Sequence, residues 1–139
     1  MKKIKFIIPI LIVVLASAFL LTDCQRDHSC KMKIVCMRYD GMDTLGTLPN
    51  ARIVVGRDFY GSQPSAEYAK RDTVADANGV CVITFAYPAL LDVNVSGYHY
   101  IYSEEGELVD SIYYTGTAQV QLNEGEMTDK TILTMETHQ

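Results

Sequence analysis

The chain has no tryptophan, three histidines, four cysteines and four prolines in 139 residues, and the scarcity of histidine bears directly on function. His28, His99 and His138 stand far apart, so no metal-ligand set and no nucleophile-base pair can be read from spacing. No glycine-rich phosphate loop occurs, and no segment keeps a 3.6-residue apolar period over three turns. Positive charge is also short, with 12 basic against 17 acidic residues and a formal charge of −5. Removal of a leader carrying Lys2, Lys3, Lys5 and Asp23 would deepen it to −7. A nucleic-acid or anionic-lipid surface is excluded on that balance. Cofactor chemistry has no motif to rest on, and the expectation is a chain with no cofactor.

What is present begins with that leader. Lys2, Lys3 and Lys5 precede an uncharged run from Phe6 to Leu21, the pattern of an export signal. As a helix the run would span about 24 Å, short of the roughly 30 Å hydrocarbon core, so a permanent span is the weaker reading. It ends at Leu21-Thr22-Asp23-Cys24, which resembles a bacterial lipobox, with Asp23 in place of the usual small residue. Ala16-Ser17-Ala18 offers a competing cleavage that would leave Phe19, Leu20 and Leu21 on a soluble chain. The expectation is a signal peptide over 1–23, acylation of Cys24 as an anchor in the bilayer, and a polar tether over 24–31. Gln25 takes the place of the Asp that retains enteric lipoproteins at the inner membrane, which points to the outer membrane.

Residues 32–136 read as one all-β domain, since a chain of this length can bury a single two-layer core. Met32 to Tyr39 and Ala51 to Arg57 read as strands with a loop between them. Tyr68 to Val74 and Val80 to Ala86 are joined at Asp76-Ala77-Asn78-Gly79, which predicts a tight hairpin. Leu91, Val93 and Val95 alternate with polar residues, the cleanest period of two in the chain. That strand continues to Tyr102 and returns as Leu108 to Tyr114, with Gly116 expected to end it. Ala118 to Leu122 and Thr128 to Met135 complete eight strands, which must stack as a sandwich or barrel to hide their apolar faces.

From Asp76 to Phe85 the chain resembles the carboxypeptidase regulatory-like, or transthyretin-like, β-sandwich family. Pro49 to Val55 is similar to that family's preceding strand, and Asn123 to Glu126 with Lys130 to Leu133 resembles its closing strand. The segment Ala75 to Val93 is also similar to small lipoproteins of the Bacteroidetes. The resemblance implies a Greek-key sandwich over roughly Met32 to Met135 and no chemistry, because its motifs are structural.

Several residues remain as candidates. Tyr98, Tyr100 and Tyr102 share one strand face, with Tyr113 and Tyr114 on the return strand, and such a row could stack on sugar rings; the plainer reading is cross-strand packing. Cys36 shares a face with Ile34, and Cys81 with Ile83 and Phe85, so a Cys36 to Cys81 disulfide is open, against two buried free thiols, with Cys30 unpaired. Asp43-Thr44-Leu45, Asp72-Thr73-Val74 and Asp110-Ser111-Ile112 each resemble an O-glycosylation acceptor, Thr44 being best placed in a loop and Thr73 and Ser111 lying within strands; Asp before Thr or Ser also marks ordinary turns. Asp76 to Gly79 lacks the further oxygen ligands of a calcium loop. These readings converge on a non-enzyme: an interaction module for a protein or glycan partner, or an accessory or inhibitory subunit on an envelope hydrolase.

Overall fold

The computed structural model describes residues 27–56 and 69–137, in which the regular elements are eight strands. They are β1 (Cys30–Tyr39), β2 (Thr44–Thr47), β3 (Arg52–Gly56), β4 (Arg71–Val74), β5 (Val80–Phe85), β6 (Leu90–Tyr102), β7 (Leu108–Gln121) and β8 (Met127–Glu136). The leader, Cys24 and the loop at Gly61 to Ser65 lie outside the described residues. The domain is all-β, as its alternating apolar pattern requires.

All eight strands belong to one sheet in the order β2-β1-β8-β7-β6-β3-β4, with β5 also on β1. One edge of β1 takes β8 in parallel from Lys31 to Tyr39. Its other edge is divided: β5 pairs with Cys30 to Val35, and β2 with Met37 to Tyr39. β7 and β8 share only Tyr114↔Glu136 and Thr115↔Met135, so the sheet has two wings that meet at this short ladder. Both wings feed one core, with Met32, Ile34, Phe85 and Ile132 from one side and Ile53, Val93, Val95 and Val120 from the other. Each such side chain contributes about 1.5–3 kcal/mol by leaving water. Thr134, buried among them, donates its hydroxyl to the Met37 carbonyl at 3.0 Å.

Four departures from the expected elements have physical causes. The first strand starts at Cys30, inside the presumed tether, because Cys30 is fully buried and pairs with Phe85. The loop expected after Tyr39 contains β2, since Asp40 Oδ1 accepts both the Met42 and Asp43 amides at 2.8 Å and folds the chain straight back onto β1. The turn at Asp76 forms as expected, Asp76 Oδ1 accepting the Asn78 and Val80 amides at 2.8 and 2.9 Å. It does not make a hairpin, because β4 pairs with β3 while β5 pairs with β1. Gly79, at φ 74°, sits where a Cβ would lie 3.0 Å from the Cys36 carbonyl oxygen and 3.1 Å from that of Leu48.

Gly116, finally, does not end a strand; β7 runs through it and pairs with β6 from Leu90↔Gln121 to Tyr102↔Leu108. A Cβ there would fall 2.5 Å from the Leu133 carbonyl oxygen and 3.1 Å from the Thr134 Cα. The glycine marks the close approach of β8 to β7 at the corner between the wings.

Candidate functional site

Along β6, Leu91, Val93 and Val95 face the core, so the residues of opposite parity, Ser96, Tyr98, Tyr100 and Tyr102, stand on the outer face. The ladder sets Tyr113 of β7 directly opposite Tyr98 and Ser111 opposite Tyr100. Tyr98 and Tyr113 lie 4.8 Å apart between ring centroids at 45°, and Tyr98 and Tyr100 lie 6.1 Å apart with planes within 23°. Tyr98, Tyr100 and Tyr102 keep 45%, 49% and 61% of their surface in water. The expected row therefore exists, with Tyr113 as its cross-strand support; Tyr114, of opposite parity, is buried in the core.

A groove of about 520 Å³ runs beside this row, bounded further by Asn50 and Arg52. Arg52 reaches it because β3 places Arg52 opposite Ser96 of β6. Its guanidinium donates through Nε and Nη2 to the Asp72 carboxylate at 3.0 and 2.5 Å, a two-pronged pair. That bond holds the Asp72 carboxyl below its ordinary range and raises the Arg52 guanidinium above its own. Asn50 adopts the left-handed conformation, φ 55°, which turns the chain from Leu48 into β3. Arg52, Asp72 and Asn50 were not legible as site residues, because only the β3–β6 and β3–β4 registers bring them to the tyrosines.

His99 also borders the groove, although it has the parity of the core face and pairs across from Ile112; burial, with a smaller effect from the Arg38 charge, lowers its pKa. Among the described residues no group of three or more His, Cys, Asp or Glu side chains is arranged to hold a metal ion. A second acidic corner, at Asp27, His28 and Glu124, is a local tie: His28 bonds Glu124, and Asp27, held at a pKa of about 2 chiefly by its bonds from Ser29 with help from Lys31, fixes the start of β1.

The other candidate residues fall elsewhere. Cys36 donates its amide to Gly79 and Cys81 lies opposite Ile34, which makes the two thiols diagonal neighbours on one face. Diagonal Cα separations on adjacent strands run to about 7–8 Å, beyond disulfide reach, and both thiols are free, as is Cys30. Burial, with Cys81 nearby, pushes the Cys36 thiol up to about 11, while Cys81 lies 4.0 Å from the Thr73 hydroxyl. Thr44 is exposed but is the first residue of β2 rather than part of a loop; Thr73 is half-buried, and Ser111 is exposed beside the tyrosine row.

No family model and no curated protein matches this sequence. Among solved structures, a 9R-lipoxygenase from Cyanothece PCC8801 is similar at 12% identity and a TM-score of 0.41, over 81% of this chain and 17% of that one. So slight a likeness, to a small fraction of a much longer chain, carries no functional argument.

Proposed function

We propose that this protein is an envelope lipoprotein, anchored through acylated Cys24 in the outer membrane, whose Greek-key sandwich serves as a non-catalytic module for a protein or glycan partner. The observation that carries the reading is the tyrosine row: large aromatic side chains held in register by a ladder yet left open to solvent, which neither the core nor the turn requires. The lipobox-like Leu21 to Cys24 and the apolar run before it support the anchor. In the native host, Cys24→Ser should abolish labelling by a radioactive fatty acid and release the protein from the membrane fraction. Continued labelling of that variant would refute the anchor.

A second reading, an accessory subunit docked on an envelope hydrolase, is favoured by the tip of the same hairpin, where Ile101, Leu108 and Val109 are exposed together. It predicts recovery of one hydrolase in equal amount with the affinity-tagged protein, lost on Val109→Asp. The leading reading predicts that Val109→Asp leaves partner binding at the tyrosine row intact.

A further inference from the structure

We propose that the groove beside Tyr98 and Tyr100 is a binding subsite for an uncharged chain of pyranose sugars. The proposal rests on the reading of the tyrosine row as the contact surface and names the ligand class it takes.

Three properties of the groove select that class. Pyranose rings present faces of C–H groups and a rim of hydroxyls, so they need aromatic surface flanked by small polar groups. Tyr98 and Tyr100 supply rings nearly parallel and about half exposed, while Asn50 and Ser96 border the same groove with an amide and a hydroxyl. Ser111 extends this polar border on the neighbouring strand, opposite Tyr100.

The second property is charge. A site for a phosphorylated or uronic-acid ligand would aim an uncommitted cation at it, but the Arg52 fork is taken up by both oxygens of Asp72, and burial disfavours the charged form of His99, the other basic side chain on the groove. The third is size. At about 520 Å³ the groove falls within the roughly 300–1,000 Å³ typical of small-ligand sites, enough for a few rings.

The test uses the full-length protein in a zwitterionic detergent, because sugar-headed detergents would compete. Isothermal titration with neutral hexasaccharides of glucose, mannose and galactose, and with hexagalacturonate as the acidic probe, should give binding to a neutral member and weaker binding to the acidic one. Tyr98→Ala and Tyr100→Ala should each weaken the neutral ligand about tenfold, while Tyr100→Phe, which keeps the ring, stays within about twofold. Val82→Ala, on the outer face of β5, should leave binding unchanged, and unfolding midpoints check that every variant is folded. Asp72→Asn, which frees the Arg52 fork, should strengthen the acidic probe. No binding of any neutral hexasaccharide, or full binding by the folded Tyr98→Ala and Tyr100→Ala variants, would overturn the proposal. A photo-crosslinker at position 100 in living cells then separates the two levels: glycan captured there supports the sugar subsite, a single envelope protein captured there refutes the sugar subsite while keeping the tyrosine row as a contact surface, and capture of neither refutes both.

Discussion

The hairpin of β6 and β7 has two halves built on one uninterrupted ladder, and they differ in what lies across from them. In the half nearer the β6 start, Leu91, Val93 and Val95 are buried with Val120 against the other wing. In the half nearer the tip, Tyr100, Ile101 and Tyr102 face water on both sides of the strand, and Leu108 and Val109 answer them on β7. Register persists through both, shifting only between Ile101 and Tyr102. The backbone hydrogen bonds are therefore common property, while burial belongs to one half. Side chains in the outer half are released from core packing, and the binding proposed above would account for their bulk.

That contrast can be broken by mutation. Leu91→Ala should cost about 2–5 kcal/mol of stability in urea unfolding, and Leu108→Ala, on the outer half, should stay within about 0.5 kcal/mol; comparable losses would erase the distinction. Gly116→Ala should follow at about 1–3 kcal/mol, because the nearest atom its methyl meets, the Leu133 carbonyl oxygen, is backbone of β8 and cannot swing aside. Tyr98→Ala, at the boundary between the halves, should lose about 0.5–1 kcal/mol with its Tyr113 partner. A loss as large as that of Leu91→Ala would move Tyr98 into the core half.

The smallest effect concerns His99. Its pKa in the folded chain is lowered below the ordinary 6.5, so the unfolded chain binds the proton more readily. The stability associated with neutral His99 is complete above about pH 6.5 and drains away as pH falls through and below that value. His99→Gln should flatten the unfolding midpoint between pH 7 and 5. The depressed carboxyls of Asp27, Asp40 and Asp72 act in the same direction at lower pH, below their ordinary 3.8, and should leave this window alone.

What the sequence makes legible follows the range of the interaction. The alternation at Leu91 to Val95, the outward parity of Tyr98 to Tyr102 and the Asp76 turn are local, and they appear as expected. Misreadings arise where a distant strand decides the outcome. Gly116 resembles a strand end until β8 is placed against it, and Asp76 to Gly79 resembles a hairpin until β1 captures β5. The parallel union of β1 and β8 joins the first and last strands, and no local signal announces it. For the same reason the tyrosine row could be read from parity, whereas Arg52 and Asp72 needed the order of β4, β3 and β6.

That union of β1 and β8 also fixes a direction. Cys24 precedes β1 by six residues, a reach of at most about 20 Å, so a chain anchored there would hold the start of β1 close to the bilayer surface. β1 departs from that point, and β8, being parallel, departs with it; β7 returns against β8, and β6 departs again against β7. The start of β6 and the Asn123 to Glu126 turn lie at the end where β1 begins, which such an anchor would set at the lipid side, and the Ser103 to Glu107 turn lies at the far end of a strand about 43 Å long. In a chain so anchored, strand polarity alone would orient the molecule like a mast, its foot at the headgroups and its tyrosines held aloft on the far side.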